Sequence, residues 1–252
     1  MLILLRALLV VILFTTVAYS TPGFAANDEA AASGGGMLLG DPRPEARMAI
    51  PELERRMAAG DLSAQAELGA RYGLGSEVKQ DLPKAIGLLR AAADKGNADA
   101  QFFLASAYAA GQGVPQSDIQ AFMLYEQAAN QGHPGGSYMM ANMIIYGRAG
   151  ISPSWSGGMS HLWTAAAKGY PPAMLLLGAA YEDGNAGVVN PRAAAYWYRR
   201  YLNFIQDPRA IFNLRRMIVQ GVVPYEPGDP GDPPDAPQTP DTVQKVKDAS
   251  KP

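Results

Sequence analysis

The sequence predicts an all-α protein: a right-handed α-solenoid of antiparallel helix pairs, four repeats long, with a capping helix at either end. Three observations carry the prediction. Gly60, Gly96, Gly132 and Gly169 each close an apolar run, at separations of 36, 36 and 37 residues. Gly75, Gly111, Gly147 and Gly184 close a second set of runs at the same three separations. Between these stops, large and small apolar residues recur at offsets of three and four, the spacing of one helical face. Two stop series sharing one period define a stack of identical supersecondary units.

Taken in order, residues 46–59, ending at Gly60, have the spacing of a lone second helix. The first helix of each repeat then holds Leu68, Leu104, Met140 and Leu177 in one slot and Gly69, Ala105, Ala141 and Gly178 in the next. Three residues on stand Tyr72, Tyr108, Ile144 and Tyr181. Each large slot buries about 1.5–3 kcal/mol of apolar surface. The small slot lets the partner helix approach, and a leucine there would overpack at about 1–3 kcal/mol. The second helix carries alanine pairs at Ala92–Ala93, Ala128–Ala129 and Ala165–Ala166, preceded by Leu88–Leu89, Leu124–Tyr125 and His161–Leu162. The glycine that follows suits the left-handed residue that closes a helix. Asp61 or Asn97 then caps the next helix, or Pro134 or Pro171 opens it. Residues 208–220, ending at Gly221, read as a lone first helix. Terminal units of this kind cover the apolar face that a last repeat would leave in water.

These residues resemble the Sel-one-like repeat (SLR) family, relatives of the tetratricopeptide repeat. The first unit matches the family pattern through Leu68, Gly69, Tyr72, Gly75, Val78, Asp81, Lys84, Ala85, Ala92, Ala93 and Gly96. The second matches through Leu104, Tyr108, Gly111, Gly113, Val114, Ala121, Tyr125, Ala128, Ala129 and Gly132. The fourth keeps Leu177, Gly178, Tyr181, Gly184, Val188, Ala194, Trp197 and Tyr198 but has Tyr201–Leu202 for the alanine pair. The third diverges most, with Ile144 in the tyrosine slot and one inserted residue. The resemblance covers about residues 62–206 and implies adaptor or regulatory work.

Outside the repeats the chain changes character. Arg6 and the apolar run from Ala7 to Val17, with small residues near Ser20 and Ala25, have the layout of a signal peptide over residues 1–25. The rival reading is an uncleaved anchor, since Leu2–Tyr19 approaches spanning length. Residues 26–43 read as a disordered linker, 44–223 as the solenoid, and 224–252 as a disordered, proline-rich acidic tail without periodic apolar residues. There is no cysteine, which excludes disulfides, thiol catalysis and cysteine-ligated metal. A formal net charge of −2 argues against a nucleic-acid surface or a polybasic membrane patch. An exported chain with neither cysteine nor a glycosylation acceptor points to a bacterial periplasmic or secreted protein, or to an inner-membrane-anchored one if the leader is retained.

Chemistry-bearing patterns are sparse. His133 takes the capping slot of Asp61 and Asn97, and His161 a packing slot, so neither reads as a metal ligand. Ser76-Glu77-Val78-Lys79 fits the S-x-x-K string of penicillin-recognising enzymes, but the S-D-N and K-T-G strings that complete that site are absent. No catalytic residue, cofactor or metal is expected. What remains is a surface. At offsets 0, +4 and +7 the first helices present Ala66, Ala70, Gly73; Phe102, Ser106, Ala109; Tyr138, Asn142, Ile145; and Leu175, Ala179, Glu182. In related arrays this side lines the concave groove. Candidate partner-binding residues are therefore Phe102, Ser106, Tyr138, Asn142, Ile145, Leu175 and Glu182, with Trp155 on the turn of the divergent unit. Packing between repeats is the competing explanation for the apolar ones, and burial against its own helices for Trp155. The expected function is a non-enzymatic exported scaffold binding a protein or peptide, without nucleic acid and without stable membrane insertion once the leader is cleaved. The alternatives are a cell-wall-directed enzyme or β-lactam- or peptidoglycan-binding protein using Glu67, Glu182 or Ser76, and a structural envelope protein.

Overall fold

A computed structural model describes residues 44–224 and 226; the leader, the linker and the remainder of the tail lie outside the described residues. A short 3-10 helix, Pro44–Arg47, is followed by ten α-helices: α1 (Ile50–Ala58), α2 (Leu62–Leu74), α3 (Leu82–Ala93), α4 (Ala98–Ala110), α5 (Asp118–Asn130), α6 (Pro134–Ile145), α7 (Trp155–Ala167), α8 (Pro171–Asp183), α9 (Pro191–Leu202) and α10 (Pro208–Val219). No strand occurs among the described residues. The all-α fold expected from the period is what the chain adopts. The lone helix expected over 46–59 begins only at Ile50, because Pro51 is accepted in a first turn and not in a helix interior.

Compact packing divides the chain into two units that meet between Pro172 and Ala173, inside α8. In the first unit α2–α3, α4–α5 and α6–α7 form three hairpins. Within this unit α3 also packs on α4 and α5 on α6, and α2 packs on α4, so the first helices form the inner row. Buried alanines Ala66, Ala92, Ala100, Ala105, Ala121 and Ala128 alternate with Leu89, Phe102, Leu104, Tyr125 and Met143 in one continuous core. Ahead of it α1 inserts Leu53 beside Ala64 and Leu68. In the second unit α9 packs on α10. Tyr198 of α9 lies against Gly178 of α8, where an added Cβ would stand 2.7 Å from the ring.

The joints repeat atom for atom. The closing glycines adopt left-handed φ of 90°, 85°, 83° and 84° at Gly60, Gly96, Gly132 and Gly169. At Gly96 its N–H donates to Ala93 O (2.8 Å) and the N–H of Asn97 to Ala92 O (3.1 Å), which satisfies the last carbonyls of α3. Asn97 then accepts from the N–H of Ala100 at 2.8 Å and starts α4. Within each hairpin one backbone bond fixes the turn. The cap residue of the second helix donates to the carbonyl of the tyrosine slot: Asp81 to Tyr72 (2.9 Å), Ser117 to Tyr108 (2.9 Å), Ser154 to Ile144 (2.9 Å) and Asn190 to Tyr181 (2.8 Å). A carbonyl is indifferent to its side chain, so Ile144 serves as well as tyrosine. The extra residue of the third unit is taken up in the loop before Ser154.

Candidate functional site

The inner row of first helices holds most of the residues that the sequence singled out, and it buries them unequally. Phe102 is only 2% exposed. Its ring stacks on His133 at 4.6 Å and meets Phe103 and Tyr125 at 5.6 and 5.8 Å. Tyr138 is 3% exposed and tilts against Tyr170 at 5.3 Å. Ile145 is 3% exposed and fills the space left by Gly158, where an added Cβ would lie 2.5 Å from its Cγ1. These three side chains are packing, not surface. An inner helix such as α4 is enclosed by its hairpin partner and by the repeats on either side, so its apolar arc is far wider than that of a one-sided amphipathic helix.

The polar residues of the same row are less enclosed. Ser106 is half-buried; its Oγ donates to Phe102 O at 3.0 Å and lies 3.0 Å from the Tyr125 hydroxyl. Asn142, one repeat on, is half-buried and donates to Tyr138 O at 3.1 Å. Both bonds run four residues back along their own helix. Burial pushes the Tyr125 phenol up to about 12, against the pull of its Ser106 contact. Trp155 is half-buried and sits at the first position of α7, not in the turn, edge-on to Tyr146 at 6.4 Å. In the second unit Leu175 is half-buried, and Glu182 accepts from the Tyr198 hydroxyl (2.6 Å) and from Arg216.

Sequence reasoning missed a buried ionic cluster at the start of the array. Arg71 donates to Glu67 at 2.9 Å, with side chains 7% and 4% exposed, and to Glu77 at 2.7 Å. Its other nitrogen holds the carbonyls of Glu45 and Ala46, each at 3.2 Å, tying the 3-10 helix to α2. The four-residue spacing of Glu67 and Arg71 was the available signal. Also unforeseen is a fork from Arg148, after α6, to Asp118 at the start of α5, at 2.5 and 3.2 Å.

Of the residues weighed for chemistry, His133 has structural employment. His133 caps α6 through Nδ1, which accepts from the N–H of Gly136 at 3.0 Å, while Nε2 lies 3.1 Å from Asp99. Ser76 lies in the α2–α3 turn. Beside it is a shallow recess of about 460 Å³ lined by Tyr72, Val78, Lys79, Gln80, Asp81 and Lys84. Lys84 donates to the Tyr72 hydroxyl at 2.6 Å, which raises its pKa. Among the described residues no group of three or more His, Cys, Asp or Glu is placed to hold a metal.

Stacked helical hairpins closed by glycines of the same left-handed geometry define a helical-repeat scaffold. The Sel1 repeat pattern matches residues 62–97, 98–133 and 171–200. The chain carries three Sel1 repeats. The third hairpin falls between the matches, yet α6 and α7 keep the joint geometry of the others. Among solved structures, a protective antigen of uropathogenic Escherichia coli displaying an SLR fold is similar, with 28% identity and a TM-score of 0.61. The alignment covers 69% of this chain and 37% of that one, so this chain spans little more than a third of that relative's length. A Sel1 repeat protein from Oxalobacter formigenes shares the fold at 24% identity and a TM-score of 0.59, over 69% of this chain and 76% of that one. No curated protein matches the chain.

Proposed function

We propose that this Sel1-repeat scaffold is an exported adaptor that binds a protein or peptide partner along the open side of its inner helices, in the bacterial envelope. The observation that carries the reading is the recurrence of Ser106 and Asn142 one repeat apart on the inner row, over a floor made rigid by buried Phe102 and Tyr138. A polar pair one repeat apart on a firm apolar floor suits an extended chain, whose contacts recur along its length. Trp155 in the same unit is a further contact residue, and Leu175 and Glu182 are the candidates of the second unit taken by itself. Binding requires no covalent step. Export rests on the leader layout of residues 1–25, with residues 26–43 as linker and 224–252 as tail. Among the described residues no helix is long and apolar enough to cross a membrane.

The test is a photo-crosslinking amino acid placed at Ser106 or Asn142 of the full-length chain in its native cells, with Gly87, exposed on α3, as the outer-face control. A discrete adduct from both inner positions and none from Gly87 is expected. Equal adducts from Gly87, or none from the inner row, would overturn the assignment. Sequencing the mature N-terminus tests export: a start near Ser20 or Ala25 is expected, and an intact Met1 would establish the anchored form instead.

A further inference from the structure

Helix α9 buries one side and leaves an arginine–tyrosine stripe on the other. Arg192 is exposed, Tyr196 is 48% exposed, and Arg199 and Arg200 follow on the same face, at steps of four, three and four residues. Arg200 donates to the Tyr196 hydroxyl at 2.9 Å, and its guanidinium lies 5.8 Å from the Tyr196 ring centre and 5.9 Å from that of Trp197. No carboxylate among the described residues pairs with Arg192 or Arg200. Arg199, in contrast, holds the chain that leaves α10: it donates to Pro224 O at 2.7 Å and to Glu226 at 2.8 Å. The tail therefore starts its course on this stripe.

The tail sequence fits what it starts on. From that anchor, Glu226, Asp229, Asp232 and Asp235 recur every third residue, and so do Pro224, Pro227, Pro230 and Pro233. A polyproline II strand has three residues per turn and rises about 9 Å per turn, so it would place every one of these acids on one edge and the prolines on another. Arg192 and Arg199 stand about two helical turns apart, roughly 11 Å, close to one repeat of such a strand. Guanidinium groups meet carboxylates in planar pairs, and an exposed tyrosine face between them receives proline rings.

We infer that the outer stripe of α9 (Arg192, Tyr196, Arg200) is a docking surface for an acidic polyproline strand, and that its occupant is the chain's own segment Pro227–Asp235. The strand continues from the Arg199–Glu226 contact and covers Tyr196. This surface is separate from the inner row, and the inference holds or fails independently of the adaptor reading.

The chain has no cysteine, so a single Ala236→Cys in the full-length protein takes one nitroxide label. The expected result is selective loss of amide peak intensity over Arg192–Asn203. That loss should recede when salt is raised from 0.15 to 1 M, as the screening length falls from about 8 to about 3 Å. It should vanish in the variant D229N/D232N/D235N, which alters no residue of the helical core. Unattenuated α9 peaks at low salt would overturn the inference, as would attenuation that survives in the variant. Mixing labelled chains with unlabelled isotope-enriched ones separates the remaining alternative. Attenuation seen only between molecules would assign the stripe to a second copy and overturn the intramolecular occupant.

Discussion

Gly136→Ala and Gly87→Ala are the same substitution and should move stability in opposite directions. Gly136 lies in the first turn of α6, buried against α5. A methyl group there would stand 2.9 Å from Ala129 N, 3.0 Å from Ala128 Cβ and 3.1 Å from Tyr125 O. Two of these atoms are backbone, so the clash is relieved only by moving α5 and α6 apart. Alanine gains at most about 1 kcal/mol of helix propensity over glycine. Overpacking costs about 1–3 kcal/mol, and the cost grows when no side chain can swing away. The balance is a net loss of about 1–2 kcal/mol. Gly87 lies mid-helix in α3, exposed, with nothing within 4 Å of an added Cβ. There the propensity term stands alone, a gain of up to about 1 kcal/mol. With a urea m-value of about 1–3 kcal/mol/M, the two midpoints should differ by about 1 M or more. Far-UV circular dichroism against urea gives the midpoints, and hydrogen exchange of the α5 and α6 amides shows whether the loss is local, since repeat arrays need not unfold all at once. A Gly136→Ala protein as stable as wild type would refute the idea that the small slots set the helix spacing.

Two further predictions concern buried polar groups. Tyr125 keeps its proton to about pH 12 in the folded chain, while an unfolded tyrosine releases it near 10.0, so stability is full below pH 10 and falls above it. The loss from this group approaches about 3 kcal/mol by pH 12; Tyr125→Phe should remove that share in alkaline melts, leaving the share of Tyr170, Tyr198 and Tyr201, which burial also raises, while forfeiting the Ser106 contact, about 1 kcal/mol at neutral pH. Arg71→Met removes the guanidinium facing Glu67 and releases the carbonyls of Glu45 and Ala46, a change expected to cost about 3–5 kcal/mol. The paired E67L/R71M replacement should recover most of that in thermal melts, and an unaltered single variant would show that the cluster is solvated.

The architecture was legible because its determinants are local and repeated. A glycine at left-handed φ, a cap residue and an alanine pair each act within a turn or two, and their recurrence removes coincidence. The candidate surface was less legible for a specific reason. Phe102, Ser106 and Ala109 share a helical face in sequence, but α4 buries six consecutive residues, Ala100–Ala105, so periodicity cannot separate floor from surface there. Deciding between Phe102 and Ser106 needs the partners, His133 and Tyr125, which come from later in the chain. Trp155 was assigned to a turn because the stretch around it is rich in glycine and serine. Ser154 instead caps α7 by accepting from the N–H of Gly157 at 3.0 Å, which makes the tryptophan its first residue.

The cap that Arg71 clamps to the array has a consequence for the company the protein keeps. Every hairpin surface in a stack is complementary to the next, so an uncovered end is a template for another copy of the same chain. Such head-to-tail contacts build rings where the rotation closes and filaments where it does not. Helix α1 and the 3-10 helix before it occupy the first of these templates, with Leu53 turned inward and the Glu52–Arg55 pair facing water. The few residues from Pro44 to Gly60 thus do more than complete a core: they cover the first self-complementary end of the stack.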